Sequence, residues 1–578
     1  MNIFKNIIII ISFCSSNILI CQDANFIWAK NVGGANNTFA KSTVIDSVGN
    51  TYITGHFAGV VDFDPGIGVY NLTSNGYFDI FILKLDAFGN FIWAKNIGGS
   101  NNDSGNSLAI DSEANLYITG DFAGVVDFNP GSVPYILNGF NTSDFFILKL
   151  DSSANFIFAK QIISSGAYSF VTGNSIFLDA SLNIYTTGDF SGSADFDPGI
   201  NTFSLSSIGY NNVFVSKLNA FGDFIWAKQY SGTSSNSQSY GNSILIDLFG
   251  NIYTMGYFYG IVDFDPAAST YTLESTGGII DRDIFITKLD SFGNFIWAKQ
   301  MGGLDEENGL SFVTDNMGNV YSTGYFDATA DFDPGIGIYD LTPNVERNIY
   351  ISKLDSGGNF LWANQISGYG YGRSVALDAM KNVYVTGFFQ GLTDFDSGPG
   401  VYYLDSPIPR ADGFINKLDS NGNFIWVKQL VGNGSSNSSG LSIIVDSYNN
   451  IYTTGNLTGT VDFDPGINNY NMTSFGWMDC FVHKMSQDYT LNIVEGYTKN
   501  NIGLFPNPSN RQINVFLNNK EEIIDIKLIN SSGQILMEKN KIYSNISNFD
   551  VSNLADGIYF FEVTTYNHAI HRTKFVKN

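Results

Sequence analysis

The chain has 578 residues, with 54 acidic side chains against 29 basic ones and a net charge of −25. An acidic balance of this size argues against nucleic acid and anionic membranes as partners, because both are held by clustered Lys and Arg. Only 14% of residues are charged, whereas 44% are hydrophobic, 15% are aromatic and 60 are glycine; this profile favours strands and tight turns and excludes a disordered chain.

Residues 1–21 read as a secretory signal peptide: Lys5 supplies the basic end, and the apolar run from Ile7 to Phe13 is too short to stay in a bilayer. Cleavage is expected near Cys21. A lipid-anchored cysteine is the rival reading there, but such cysteines follow a small residue and Ile20 is bulky. No later stretch is apolar for long enough to form a transmembrane span. Beyond the signal only Cys480 remains, so disulfides do not hold this exported chain together.

A repeat does that work. The pentad Phe-Ile-Trp-Ala-Lys, or a close variant, begins at Phe26, Phe91, Phe156, Phe224, Phe295, Phe360 and Phe424, at intervals of 65, 65, 68, 71, 65 and 64 residues. Between pentads the marks keep fixed spacing: Ser-x-x-x-Asp (Ser42/Asp46 in the first unit), a Gly thirteen residues after that Ser (Gly55), and Asp-Phe-Asp or Asp-Phe-Asn seven residues further on (Asp62). A Lys stands seven residues before each following pentad, as Lys84 stands before Phe91. Length varies only after the pentad and after Asp-Phe-Asp, where loops tolerate insertion.

The fixed pieces read as four short strands per unit. In the second unit these are Asn106–Asp111, Asn115–Thr119, Asp144–Leu150 and Asn155–Lys160. Joints such as Asp46-Ser-Val-Gly49-Asn50 fit a type I turn followed by a left-handed residue, which makes successive strands antiparallel neighbours. The surplus length around Asp62-Phe-Asp-Pro-Gly66 and Tyr70 predicts a short outward hairpin. Four-stranded units in series form a β-propeller. Seven segments, starting near residues 38, 103, 170, 238, 307, 371 and 438, carry the first three strands. The seventh has no pentad after it, while the pentad at Phe26 has no segment before it. We therefore expect an all-β fold: a seven-bladed β-propeller over residues 22–488, closed by an N-terminal strand that completes blade seven and removes the open sheet edges.

The units, for example Gly105-Asn-Ser-Leu-Ala-Ile-Asp-Ser-Glu-Ala-Asn-Leu-Tyr-Ile-Thr-Gly120, resemble the SBBP family of bacterial seven-bladed propeller repeats. The resemblance covers roughly residues 24 to 488 and rests on spacing. It implies the fold and an extracellular setting, and no reaction.

Residues 489–501 read as a linker. From 502 to 578 the pentad is gone and alternation returns in Gln512–Leu517, Ile524–Ile529 and Gly557–Val563, with Asn530-Ser-Ser-Gly533 as a hairpin turn, so a small C-terminal β-sandwich is expected. This segment resembles the type A C-terminal sorting domain of the type IX secretion system. The residues that carry the match are Phe505, Pro506, Asn507 and Pro508, then Gly533, then Leu554, Gly557 and Tyr559, and finally Lys574 and Val576. The resemblance implies recognition at the outer membrane after passage through the periplasm, with the type IX machinery as partner and a secreted or surface-attached product.

Three polar features invite a chemical reading. The Asp-Phe-Asp loops place two carboxylates two residues apart, at Asp62 and Asp64, Asp195 and Asp197, Asp263 and Asp265, Asp331 and Asp333, and Asp462 and Asp464. Such pairs are Ca²⁺ candidates, since that ion takes six to eight hard oxygens. The competing reading is a capped turn ahead of an Asp-Pro-Gly bend. Asn129 replaces the second Asp in one unit and Ser397 replaces the Pro in another, which a turn tolerates and a ligand set does not, so we expect the turn and no cofactor. The Ser-x-x-x-Asp pairs share one strand face. A Ser nucleophile needs a His base, and the repeats contain only His56 and His483, so no catalytic residue is assigned. The pentad Trp and Lys read as inter-unit core and as a solvated charged face.

Binding is expected instead in the variable segments around Ser164 to Gly173, Ser231 to Gly241, Thr272 to Asp283 and Leu341 to Asn348, most of them rich in Ser, Gly, Tyr and Asn. The sequence thus points to a secreted or cell-surface, monomeric, non-enzymatic scaffold for a carbohydrate or protein ligand. The alternative is an extracellular hydrolase or lyase acting on a polymer through carboxylates in the funnel.

Overall fold

The computed structural model describes residues 24–139, 143–487, 502–505, 509, 511–517, 522–530, 534–566 and 570–577. The signal sequence, the 489–501 linker, Pro506 to Pro508 and Gly533 lie outside the described residues. Every regular element described is a β-strand, and the described residues fall into two compact units, 24–487 and 502–577.

Each repeat forms four antiparallel strands. In the second these are Ser104–Ile110, Leu116–Phe122, Asp144–Leu150 and the start of a long strand at Phe156, within three residues of the positions expected. The joints form for the expected reason. Asp46 Oδ1 accepts from the amides of Val48 and Asn50 at 3.1 and 2.8 Å, and Gly49 takes φ +88°. The invariant Gly of the second strand answers to a different constraint. A bulge between Ala40 and Ser42 in the first strand brings the Phe39 carbonyl to 1.9 Å from where a Gly55 Cβ would lie, and equally short approaches recur at Gly120, Gly188 and Gly256.

The Asp-Phe-Asp hairpin does more than point outward. Its strand Val60–Asp62 pairs with Asn71–Thr73 and also with Gly33 and Gly34, the tail of a pentad strand from another unit. The same bridge recurs at Ser231 and Gly232 with Val262 and Asp263, and at Gly302 and Gly303 with Ala330 and Asp331. A pentad strand would otherwise end as an unpaired sheet edge, and the hairpin covers it. The central Phe of the motif is the anchor, with Phe63, Phe128, Phe196, Phe264, Phe332, Phe395 and Phe463 all fully buried.

Neighbouring units are stitched by repeated residues. The Ser of Ser-x-x-x-Asp accepts a backbone N–H from the next unit at 3.2 Å: Leu108 to Ser42, Ile176 to Ser107, Ile244 to Ser175, Val375 to Ser311 and Ile443 to Ser374. The Lys that stands seven residues before each pentad packs over a ring of its own unit. Lys84 lies 4.8 Å from the Tyr52 ring centre and donates to the Ser152 carbonyl of the next unit, while Tyr52 donates to Asp46; Lys288, Tyr253, Asp247 and Ser356 repeat this set. Trp297 and Trp362 donate to the following turn at Ser356 and Ser420, as inter-unit core should.

The same contacts join the first strand to the last repeat. Ala24–Gly34 pairs antiparallel with Asp479–Gln487, from Ala24 opposite Gln487 to Val32 opposite Cys480. Phe26 meets Tyr470 at 4.9 Å, as Phe91 meets Tyr70 at 4.8 Å. Trp28 and Lys484 both donate to the Ala87 carbonyl, and the Ala40 amide donates to Asn456 at 3.1 Å.

The C-terminal unit is a sheet of three strands (Ile502–Phe505, Gln512–Leu517, Ile546–Asp550) and one of four (Ile535–Ser544, Ile523–Asn530, Gly557–Thr565, Ile570–Lys577). They share one core that includes Ile513, Val515, Leu528, Phe549, Phe561 and Phe575.

Candidate functional site

The most varied chemistry in the repeat body lies beside its most constant residue. On the second strand, the position after the invariant Gly is His56, Asp121, Asp189, Tyr257, Tyr325, Phe388 and Asn456 in turn. Opposite each, on the first strand, stand Phe39, Ser104, Thr172, Tyr240, Asn308, Tyr371 and Ser439. Two residues further along the first strand come Lys41, Asn106, Asn174, Asn242, Leu310, Arg373 and Leu441. Period-two alternation puts all three positions on one face, and the bulge and the Gly hold the two strands close.

This inner cluster has two chemically distinct sides. The first three units supply polar groups. Asn106 donates to Asp121 at 2.8 Å and to the Gly173 carbonyl, and Asn174 donates to Asp189 at 3.1 Å and to the Gly241 carbonyl. Burial pushes the Asp189 carboxyl up to about 7, with the Asp121 charge adding to the rise, and burial likewise raises Asp121. His56 meets the Ser104 hydroxyl at 3.0 Å; burial, then the nearby Lys41 charge, lowers its imidazole to about 4, so it is neutral at pH 7.

The next three units supply an aromatic wall threaded with arginine. Tyr240 stacks on Tyr257 at 4.7 Å, Tyr325 lies 4.4 Å from Tyr371, and Tyr371 stacks on Phe388 at 4.9 Å. Arg282 lies 4.8 Å from the Tyr257 ring and donates to the Tyr325 hydroxyl; Arg347 donates to the Tyr371 hydroxyl; Arg373 lies 4.8 Å from the Tyr371 ring. Residues 24–487 contain four arginines, and three of them stand in this wall. Arg282 pairs with Glu306 at 2.7 Å and Arg347 with Asp327 at 3.6 Å. Four of these rings, Tyr240, Tyr257, Tyr371 and Phe388, are partly exposed and Tyr325 is buried behind them; such rings with cations at their edges and faces suit a ligand that offers flat apolar faces and polar rims.

All four variable segments singled out from sequence feed this cluster, through Thr172, Tyr240, Arg282 and Arg347. The segment 164–173, expected as a loop, is instead the middle of the strand Phe156–Leu178. It pairs with Ile184–Asp195 across a register shift, so its Ser and Gly residues are spent on an irregular ladder. His483 plays no part. It is buried, and its Nε2 meets the Phe463 carbonyl at 3.0 Å.

The Asp-Phe-Asp carboxylates are turn caps. Asp62 Oδ1 accepts from the amides of Asp64 and Tyr70 at 3.0 and 2.8 Å, and Asp64 Oδ1 accepts from Gly66 at 2.8 Å. Asp195 with Asp197, Asp263 with Asp265, Asp331 with Asp333 and Asp462 with Asp464 repeat the arrangement. Of the sorting-domain residues, Phe505 ends the first strand and Leu554 packs on the core. Gly557, at φ +155°, opens the strand on which Tyr559 donates back to the Ala555 carbonyl at 2.8 Å. Lys574 and Val576 lie opposite Phe560 and Ile558 on the last strand.

These features define a β-propeller-repeat protein with a sorting tail. Residues 92–121 and 225–257 match the Beta-propeller repeat family, and residues 503–578 match the Secretion system C-terminal sorting domain. The tail marks a chain exported through the periplasm to the cell surface or the extracellular space. An uncharacterized WD repeat-containing protein of Acanthamoeba polyphaga mimivirus is 25% identical over 567 residues, a match that takes in 84% of this chain and 40% of that protein. The chain thus spans well under two thirds of that relative. Among solved structures, the WD40 domain of Neurospora crassa Pan2 aligns at 9% identity and TM-score 0.38 over 78% of this chain and 89% of that one. A Bacteroides caccae protein of unknown function aligns at 10% identity and TM-score 0.28 over 58% of this chain and 93% of that one.

Proposed function

We propose that residues 22–488 form a closed seven-bladed propeller that serves as a non-enzymatic binding scaffold, carried out of the cell by the type IX machinery on the sorting domain of 502–578. Closure is supported by the pairing of Ala24–Gly34 with Asp479–Gln487 and by the Lys, Trp and Phe contacts that the first strand makes as any fourth strand does. In such a ring the inner cluster lines one mouth of the axial channel. The observation that carries the binding role is the departure of this cluster from the repeat: seven equivalent positions that packing alone would leave alike hold His56, Asp121, Asp189 and Asn456 on one side and Tyr257, Tyr325 and Phe388 on the other, where arginines from other positions join them. The ligand is an extracellular carbohydrate or protein.

The experiment is a screen of the purified chain against soluble polysaccharides and peptides, reading binding and product release together. Binding without turnover supports the scaffold. Depolymerisation that is lost on Asp189→Asn overturns it in favour of a hydrolase or lyase. That second reading draws on the carboxyl held near 7, suited to proton transfer at neutral pH.

A further inference from the structure

The repeated Lys of the third strand obeys one rule in five units. Lys84, Lys217, Lys288, Lys353 and Lys484 donate to a backbone carbonyl of the following turn, at Ser152, Ser291, Ser356, Ser420 and Ala87. Lys417 departs from it. The last repeat reaches this lysine with a side chain, and Lys417 Nζ donates to Gln487 Oε1 at 2.6 Å.

The setting of this contact is closed and polar groups converge on it. The side chains of Lys417 and Asp378 are fully buried, with Nζ 3.8 Å from Asp378 Oδ2. Gln487 is buried too; Ala24 stands opposite it across the ladder, and Ala24, Tyr384, Trp426 and Met485 belong to one core cluster. Tyr384 faces Lys417 on the neighbouring strand. Its hydroxyl lies 2.9 Å from Asp378 Oδ2, 2.7 Å from Gln487 Nε2 and 3.0 Å from Gln487 Oε1.

A backbone carbonyl can only accept a hydrogen bond, whereas a primary amide also carries a leaving group. The amide carbon is one C=O bond, about 1.2 Å, from the oxygen that Lys417 touches, so the amine stands beside the atom it would attack. Burial lowers the Lys417 ammonium to about 8, against the pull of Asp378, which leaves part of it as the nucleophilic neutral amine at pH 7. The packed surroundings keep out the water that would compete.

We propose that Lys417 and Gln487 form an isopeptide cross-link, made by the protein itself, between the sixth and seventh repeats. Starting from the neutral amine, Nζ bonds to Cδ of Gln487 and the Cδ–Nε2 bond breaks. One proton passes from Nζ to Asp378 Oδ2, and one reaches Nε2 through the Tyr384 hydroxyl, so the nitrogen leaves as ammonia and Asp378 returns to its starting state. No oxidant is consumed. The bond joins residues 70 positions apart and pins the strand that pairs with Ala24–Gly34. It restricts the unfolded chain as a disulfide would, in a repeat body whose one cysteine, Cys480, is free.

The test is the intact mass of the full exported chain, followed by tryptic digestion and tandem mass spectrometry. The parent should be lighter than its mature sequence by one ammonia. Its digest should hold a branched peptide that joins the segment around Lys417 to the segment containing Gln487, with no cut after Lys417. Lys417→Arg keeps the cation without the nucleophile and Gln487→Leu removes the amide, so neither should form that peptide. Asp378→Asn and Tyr384→Phe should slow its formation roughly a hundred-fold or more, read as the cross-linked fraction in chains labelled during a short pulse of synthesis. A parent that yields separate Lys417 and Gln487 peptides overturns the proposal, and this result does not depend on any variant folding. Ammonia loss that persists in Lys417→Arg comes from another amide and overturns it equally. Formation at the parent rate in both Asp378→Asn and Tyr384→Phe overturns the step as written.

Discussion

Replacing Trp28 with alanine tests whether the first strand belongs to the last repeat. Trp28 is 9% exposed, donates to the Ala87 carbonyl at 3.3 Å and packs on the turn at Gly89. A buried Trp removes roughly 150–250 Å² from water, and at about 25 cal/mol per Å² that is ~4–6 kcal/mol. Large-to-small replacement of a core Trp in practice removes about 3–5 kcal/mol. Trp297 makes the equivalent contact inside the array, to Ser356 at 3.3 Å, so Trp297→Ala supplies the internal standard. Ile27 is 43% exposed and supplies the blank, with an expected change under ~0.5 kcal/mol. Urea unfolding of the purified chain, followed by far-ultraviolet circular dichroism, gives the midpoints. A closed ring gives Trp28→Ala and Trp297→Ala comparable losses, with the dependence on urea unchanged. If Trp28→Ala matches the Ile27→Ala blank while Trp297→Ala falls by several kcal/mol, the first strand is not part of the cooperative unit and the closure argument fails.

Removing residues 502–578 should leave a folded repeat body in the periplasm, checked by fractionation and protease protection; arrival of the truncated chain at the surface would refute the role of the tail. The caps of the Asp-Phe-Asp turns predict that Asp195→Ala, which frees the amides of Asp197 and Phe203, lowers stability by ~1–3 kcal/mol. EDTA should leave the parent's melting temperature unchanged, and a fall reversed by Ca²⁺ would replace the turn reading with a metal site. Burial raises Glu307 to about 9 and Asp189 to about 7, so the folded chain binds more protons than the unfolded one above pH ~4. Their contribution is fully present below the ordinary carboxylate range and is lost as pH rises through 7 for Asp189 and 9 for Glu307. The melting temperature should therefore fall from pH 5 to pH 9, and Glu307→Gln should make that fall shallower at its upper end; an identical slope would show that Glu307 is ionised in the native state.

The repeat was legible because its signals are local. An Asp that caps, a Gly that turns and an Asn that pairs back lie within five residues, and Asp46, Gly49 and Asn50 do in the fold what their types require. The functions of Ser42 and Lys84 were not legible, since their partners Leu108 and Ser152 lie in another unit, 66 and 68 residues away. The inner cluster was hidden more thoroughly. A repeat is recognised by what recurs, and His56, Asp189, Tyr257 and Phe388 occupy a column that does not. The available signal was the variability beside an invariant Gly, together with three of the four arginines of residues 24–487 falling between residues 282 and 373. Tyr240, Arg282 and Arg347 were inside the segments named from sequence, but their convergence depends on where the bulged first strands point.

The strand Ala24–Gly34 finds its partner only when Asp479–Gln487 exists. At a synthesis rate of about 5–20 residues per second, the earliest part of the repeat body waits on the order of half a minute or more for its last part. Until then Trp28 and Val32 can pack only on the repeat that follows them, against residues such as Val61 and Phe81, and lack Tyr452, Cys480 and Val482, which complete their cover. The first strand made is the last one placed, and the sorting domain follows directly behind the segment that places it. An interrupted chain would thus lack its clasp and its export tag together, so completion of the body and permission to leave the cell arrive within the same short stretch of synthesis.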